Sequence, residues 1–180
     1  MSYNSSMSSY YDVDGNTILN IPFPEVKFSK ILETLGYLTT TDFRTAPFEQ
    51  KRIVLLVAFR EFLNGHLFLE EFGEIANYLT IHFDTNNKTP DQGDYELMIY
   101  EAADISLEAR FEGEPSKSSY AATLDTTWKF FNKYKYLLDE VTKEFPEVQY
   151  FENPHKYKSG EKVFFSVTEL KKKIKEKGGS

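Results

Sequence analysis

The sequence predicts a mainly α-helical fold, an irregular bundle of five or six helices with one or two short β-hairpins. Three observations predict it. Apolar residues recur at three- and four-residue spacing along several stretches. Those stretches are separated by Gly, Pro and Asn/Asp-rich breakers. Aromatic residues make up 16% of the chain, with 16 Phe and 12 Tyr, so large rings supply buried area that few Ala and Met need to supplement.

Taken in order, the stretch from Met1 to Tyr11 is Ser- and Tyr-rich and has neither cations nor an apolar run, so residues 1–9 are expected to form a disordered leader rather than a signal peptide. Tyr10 to Val13 and Thr17 to Ile21 flank Asp14-Gly15-Asn16, the pattern of a short hairpin. Pro22 and Pro24 end it. A first helix is expected from Glu25 to Leu35, stopped by Gly36. A second runs from Phe48 to Leu63, with Ile53, Leu56, Val57, Arg60 and Leu63 on one face and Arg60 as its one polar member. Asn64-Gly65 ends it, and a third, Leu69 to Phe83, follows at once with Phe72, Ile75, Ala76 and Leu79 inward. So short a connection makes these two helices neighbours.

Asp84 to Asp94 is a polar loop. A fourth helix is expected from Tyr95 to Phe111, and Glu112 to Ala122 is the best internal linker, with Gly113, Pro115 and three serines. A fifth helix runs from Asp125 to Phe145 and closes at Pro146. Val148–Phe151 and Lys162–Val167 suggest a second hairpin. A last helix begins near Ser166, where Ser166 and Glu169 fit a capping box, and continues through the Lys-rich stretch to Lys177. Residues 10–177 are thus read as one domain and Gly178-Gly179-Ser180 as an appended linker.

Composition narrows function mainly by exclusion. The absence of cysteine removes disulfides, thiolate nucleophiles and Cys-ligated metal sites, and makes a reducing cytoplasm the natural compartment. No run approaches the ~20 apolar residues that span a bilayer. The net charge of −7 is unevenly placed: residues 69–114 carry 2 basic and 12 acidic groups, whereas 153–180 carry 8 basic and 3 acidic. An acidic field repels phosphates and attracts basic partners. Direct nucleic-acid binding is therefore not expected, except through the Lys-rich terminal helix, which has the alternative of pairing with the chain's own acidic middle.

No motif assigns chemistry. Asp12-Val13-Asp14-Gly15-Asn16-Thr17 is one residue too long for a phosphatase-type Asp-x-Asp-Gly-Thr. It also fails as a calcium loop, with Gly at position 4 and Phe23 at position 12. His66 and Glu70 share an i, i+4 spacing but follow Gly65 at a helix boundary without a third ligand. Glu152 and His155 have Pro154 between them, which rules out a helical carboxylate–histidine pair. No catalytic, cofactor-binding or metal-binding residue is assigned.

One constellation stands out. At about 100° per residue, Glu101, Asp104, Glu108 and Glu112 fall within about 80° of arc on the fourth helix. Each i, i+4 pair of like charges costs a few tenths of a kcal/mol, and no Lys or Arg on that ridge relieves it. Met98, Ala102, Ile105 and Ala109 flank it as the core face, and Tyr100, Leu107 and Phe111 form a second apolar strip. Aromatic anchors beside a charged rim describe a protein-binding surface, to which Glu70, Glu71 and Glu74 of the third helix add acidity. A solvated acidic face, or carboxylates serving a metal or acid–base chemistry, are the alternatives.

The segment Phe62-Leu63-Asn64-Gly65-His66-Leu67-Phe68-Leu69-Glu70-Glu71-Phe72 resembles one found in small bacterial immunity proteins, which are acidic, helical and neutralise a toxin, often a nuclease. It departs from the pattern in having Leu69 where a capping Ser or Thr is expected. The resemblance implies a bacterial or phage-encoded protein whose acidic surface meets the basic active-site face of a partner. The function expected is thus a protein-binding inhibitor. An adaptor subunit of a larger assembly and a carboxylate- or metal-dependent enzyme remain as alternatives.

Overall fold

A computed structural model describes residues 8–11, 17–21, 23–37, 43–80, 97–105, 117–149 and 167–177. The fold is mainly helical: α1 Glu25–Leu35, α2 Phe48–Leu63, α3 Leu69–Leu79, α4 over 97–105, α5 Lys117–Glu144 and α6 Val167–Glu176. The buried apolar side chains form one cluster to which all six helices contribute.

Ahead of the helices, Ser8–Tyr11 (β1) and Thr17–Ile21 (β2) pair antiparallel, Ser8 opposite Ile21 and Tyr10 opposite Leu19, with an irregularity between Tyr10 and Tyr11. The second arm has the bounds expected from the sequence, and the first does not. The paired first arm lies two residues earlier than Tyr10–Val13, and the segment that holds Asp14-Gly15-Asn16 lies outside the described residues. Among the described residues a second hairpin is not seen: Val148 and Gln149 are not in a strand, and 150–166 lie outside the described residues.

Helix α1 begins after Pro24, whose ring suits a helix start, with Glu25 near the positive end of the helix dipole. Phe28, Ile31 and Leu32 turn inward. It ends in a Schellman motif: Gly36 takes φ 79°, its N–H donates to the Glu33 carbonyl at 3.0 Å, and the Tyr37 N–H reaches back to Leu32 at 2.8 Å. A single 3-10 turn, Phe43–Thr45, then places the Phe43 ring 5.7 Å from Tyr37 and 6.1 Å from Phe28.

Helix α2 is the centre of the molecule. It packs on α1, α3 and α5, and every residue from Val54 to Phe62 is buried. The sequence suggested one apolar face. Contact on several sides is why Arg60 and Glu61 are enclosed as well. The second helical hairpin turn is made by Gly65 at φ 83°, with its N–H donating to Phe62 and the His66 N–H to Glu61.

Ring packing ties α2 to its neighbours. Phe59 lies 5.1 Å from Phe72 on α3 and 5.0 Å from Phe130 on α5, and Phe130 lies 4.9 Å from Tyr134. Phe23, Phe28 and Tyr78 form a second group, 5.1–5.4 Å apart. Each such pair adds about 0.5–1.5 kcal/mol beyond area burial.

Helix α5 begins at Lys117, eight residues before the expected Asp125, so Lys117 to Ala122 are helical and do not form a linker. Three serines and a proline suggested a loop, but serine is only a weak helix breaker, and Ser118 and Ser119 are carried into the first turns of the helix. Helix α6 lies on α5. Leu170 is fully buried, Lys173 approaches Asp125 at 3.6 Å, and the Lys177 ammonium stands 5.3 Å above the Trp128 ring. The Asp125 carboxyl is held below its usual range by its hydrogen bond to Lys129 and by the neighbouring Lys173 charge. The described part of the basic terminal helix is therefore attached to the chain's own surface.

Candidate protein-binding surface

The described turns of α4 confirm its amphipathic reading. Met98, Ala102 and Ile105 are buried as expected, joined by Ile99 and Ala103. The opposite strip holds Leu97, 49% exposed, Tyr100, 46% exposed, Glu101 and the exposed Asp104. Residues at i, i+3, i+4 and i+7 share a helix face, so these four form one row. Leu97 was not predicted, although its place one turn before Glu101 was legible from the spacing. Leu107, Glu108, Phe111 and Glu112 lie outside the described residues, as does Ala109.

The ridge differs from its expected form at Glu101. The Lys133 ammonium of α5 donates to both Glu101 carboxylate oxygens at 3.0 Å, and the Tyr134 hydroxyl donates to Oε1. Lys133 also stands 5.4 Å from the Tyr134 ring centre. The carboxylate is thus gripped from below by a buried phenol and covered on its solvent side by an exposed cation. An ion pair this open to water contributes at most about 1 kcal/mol. No sequence pattern links positions 101 and 133; only the packing of α4 beside α5 brings them together. Tyr136, one turn beyond Lys133 on α5, is 62% exposed.

The acidic residues of α3 are a correction. Glu71 and Glu74 were expected on the acidic surface, yet both are buried. Glu71 accepts the Phe68 N–H at 2.9 Å, which caps α3, and takes the Lys27 ammonium of α1 at 3.0 Å. Lys27 also stands 5.8 Å over the Phe68 ring. A carboxylate three residues into a helix reaches back to the orphan amides, and here that local role draws it inward. The Glu70 side chain lies outside what is described.

A buried polar network at the end of α2 was also missed. Arg60 Nε donates to Glu61 Oε2 at 3.1 Å, while its two terminal nitrogens donate to the carbonyls of Phe145 and Pro146 at 2.8 and 2.7 Å. The other Glu61 oxygen lies 2.7 Å from His66 Nδ1. The left-handed Gly65 folds His66 back onto Glu61, five positions earlier, a reversal that helical spacing does not reveal. This orients the Nδ1 edge of His66 toward Glu61.

Among the described residues no group of three or more His, Asp or Glu is placed to hold a metal ion, and no helix is long and apolar enough to cross a membrane. The site can therefore be described as a solvent-facing row of one aliphatic, one aromatic and two acidic side chains, backed by a core helix. The chain matches no known family model, and no curated protein or solved structure is similar to it.

Proposed function

We propose that this chain is a protein-binding inhibitor whose outer α4 strip docks on a basic partner. One observation carries the reading: Leu97 and Tyr100, each almost half exposed, stand in line with Glu101 and Asp104 on a helix whose other face is already core. Exposed apolar anchors rimmed by charge are what an interface needs and what a merely solvated face does not. The net charge of −7 supports a partner of opposite sign, with steering that weakens as salt rises. The resemblance of residues 62–72 to immunity proteins points to the partner class, a basic toxin, nuclease or defence protein. It acts by occlusion, covering the partner's basic face.

The test is affinity capture from lysate of the source cells, comparing wild type with Leu97→Asp/Tyr100→Ala and with Asp104→Lys, at low and high salt. The proposal expects a basic protein retained by wild type at low salt and lost by both variants while their circular dichroism is unchanged. Identical captured sets from wild type and both variants would refute it.

A further inference from the structure

We infer that the Glu101 carboxylate is the recognition point for an arginine of the partner, and that Lys133 is an internal stand-in occupying that seat in the unbound chain. This rests on the inhibitor reading above and specifies what α4 recognises. The geometry is that of a finished cation site. The Tyr134 side chain is only 7% exposed, and its hydroxyl fixes Glu101 from the core side. Both carboxylate oxygens face one ammonium at equal distances of 3.0 Å, and the Tyr134 ring stands 5.4 Å from the same nitrogen. The seat opens beside Leu97, Tyr100 and Asp104, within the exposed row of α4.

Arginine is the better occupant on chemical grounds. A guanidinium offers two parallel N–H donors to two carboxylate oxygens, where an ammonium offers a point charge. It is also more weakly hydrated, so it loses less on leaving water. Lys133 is held at a half-exposed site worth little in water, which makes its displacement cheap. While it remains, it keeps Glu101 oriented and neutralised, so the carboxylate meets a partner already aimed. The acidic balance of the chain favours the incoming cation.

The experiment measures fluorescence anisotropy of labelled octa-arginine and octa-lysine on the full chain at low ionic strength. Wild type is expected to bind octa-arginine more tightly than octa-lysine. Lys133→Met is expected to tighten octa-arginine by about five-fold, the ceiling for an exposed pair. Lys143→Met, which removes an exposed cation elsewhere on α5, is the control for net charge and is expected to give a smaller change. Adding Glu101→Gln to Lys133→Met is expected to abolish the gain. Should Glu101→Gln fail to fold, Glu101→Ala, which also removes the carboxylate, carries the same comparison. Equal effects of Lys133→Met and Lys143→Met, or a gain that survives in the double variant, would overturn the inference. If protein capture through Leu97 and Tyr100 persists in that case, only the arginine seat falls; if capture also fails, the inhibitor reading falls with it.

Discussion

Arg60 Nη1 donates to the main-chain carbonyl of Phe145 at 2.8 Å, tying the last turn of α2 to the end of α5 across 85 positions of sequence. The neighbouring nitrogen holds Pro146 in the same way, and Nε holds Glu61. One guanidinium thus satisfies two carbonyls at the end of a 28-residue helix and neutralises a fully buried carboxylate.

Replacing Arg60 with Met is expected to cost about 3–5 kcal/mol, because it leaves Glu61 buried and short of its countercharge. Arg60→Met/Glu61→Gln should recover part of that loss, since the uncompensated charge is then gone. Urea denaturation midpoints of the two variants measure it; a loss below about 0.5 kcal/mol for Arg60→Met would show the network to be energetically idle.

Glu71 shows how the surface reading and the structure part. A surface acid is replaceable at little cost, whereas a buried cap that also holds Lys27 is not. Glu71→Ala is expected to destabilise the fold by about 1–3 kcal/mol, from the loss of the Phe68 amide cap and of the Lys27 ion pair. Asp104→Ala, on the exposed row, should change stability by less than about 0.5 kcal/mol. Thermal melts of the two variants side by side decide the matter, and equal shifts would contradict the burial of Glu71.

Alkaline titration probes the half-buried setting of Tyr37 and the nearby charges of Glu49 and Glu144. Burial raises the Tyr37 phenol above its ordinary value of 10.0, and the charges of Glu49 and Glu144 raise it further. The unfolded chain therefore releases this proton first. The contribution of Tyr37 to stability is complete below pH 10 and is lost as pH climbs through the raised folded-state value. The difference in absorbance at 295 nm between wild type and Tyr37→Phe should have its midpoint above pH 10, and a midpoint at or below that value would contradict the environment described.

Some of this was legible locally. The bounds of α1 and α2 follow from Pro24, Gly36 and Asn64-Gly65, because helix starts and stops are set by a few neighbouring residues with special backbone needs. The inner face of α4 at Met98, Ala102 and Ile105 follows from periodicity. The start of α5 was not legible, since Ser118 and Ser119 are compatible with loop and helix alike.

By itself, then, the sequence determined helix periodicity, the breaks between helices and the sign of the overall charge, all of which depend on near neighbours or on simple addition. Tertiary structure alone decided which charges are surface and which are internal. Glu71, Glu101 and Glu61 look equivalent in sequence, yet one caps a helix beneath Lys27, one sits between Lys133 and Tyr134, and one is enclosed between Arg60 and His66. For Glu71 and Glu101 the decisive partner lies 44 and 32 positions away. For Glu61 the left-handed turn at Gly65 brings His66 back, while Arg60 reaches across to α5. Such pairings arise from how helices are stacked, and the spacing of residues along any one helix does not encode them.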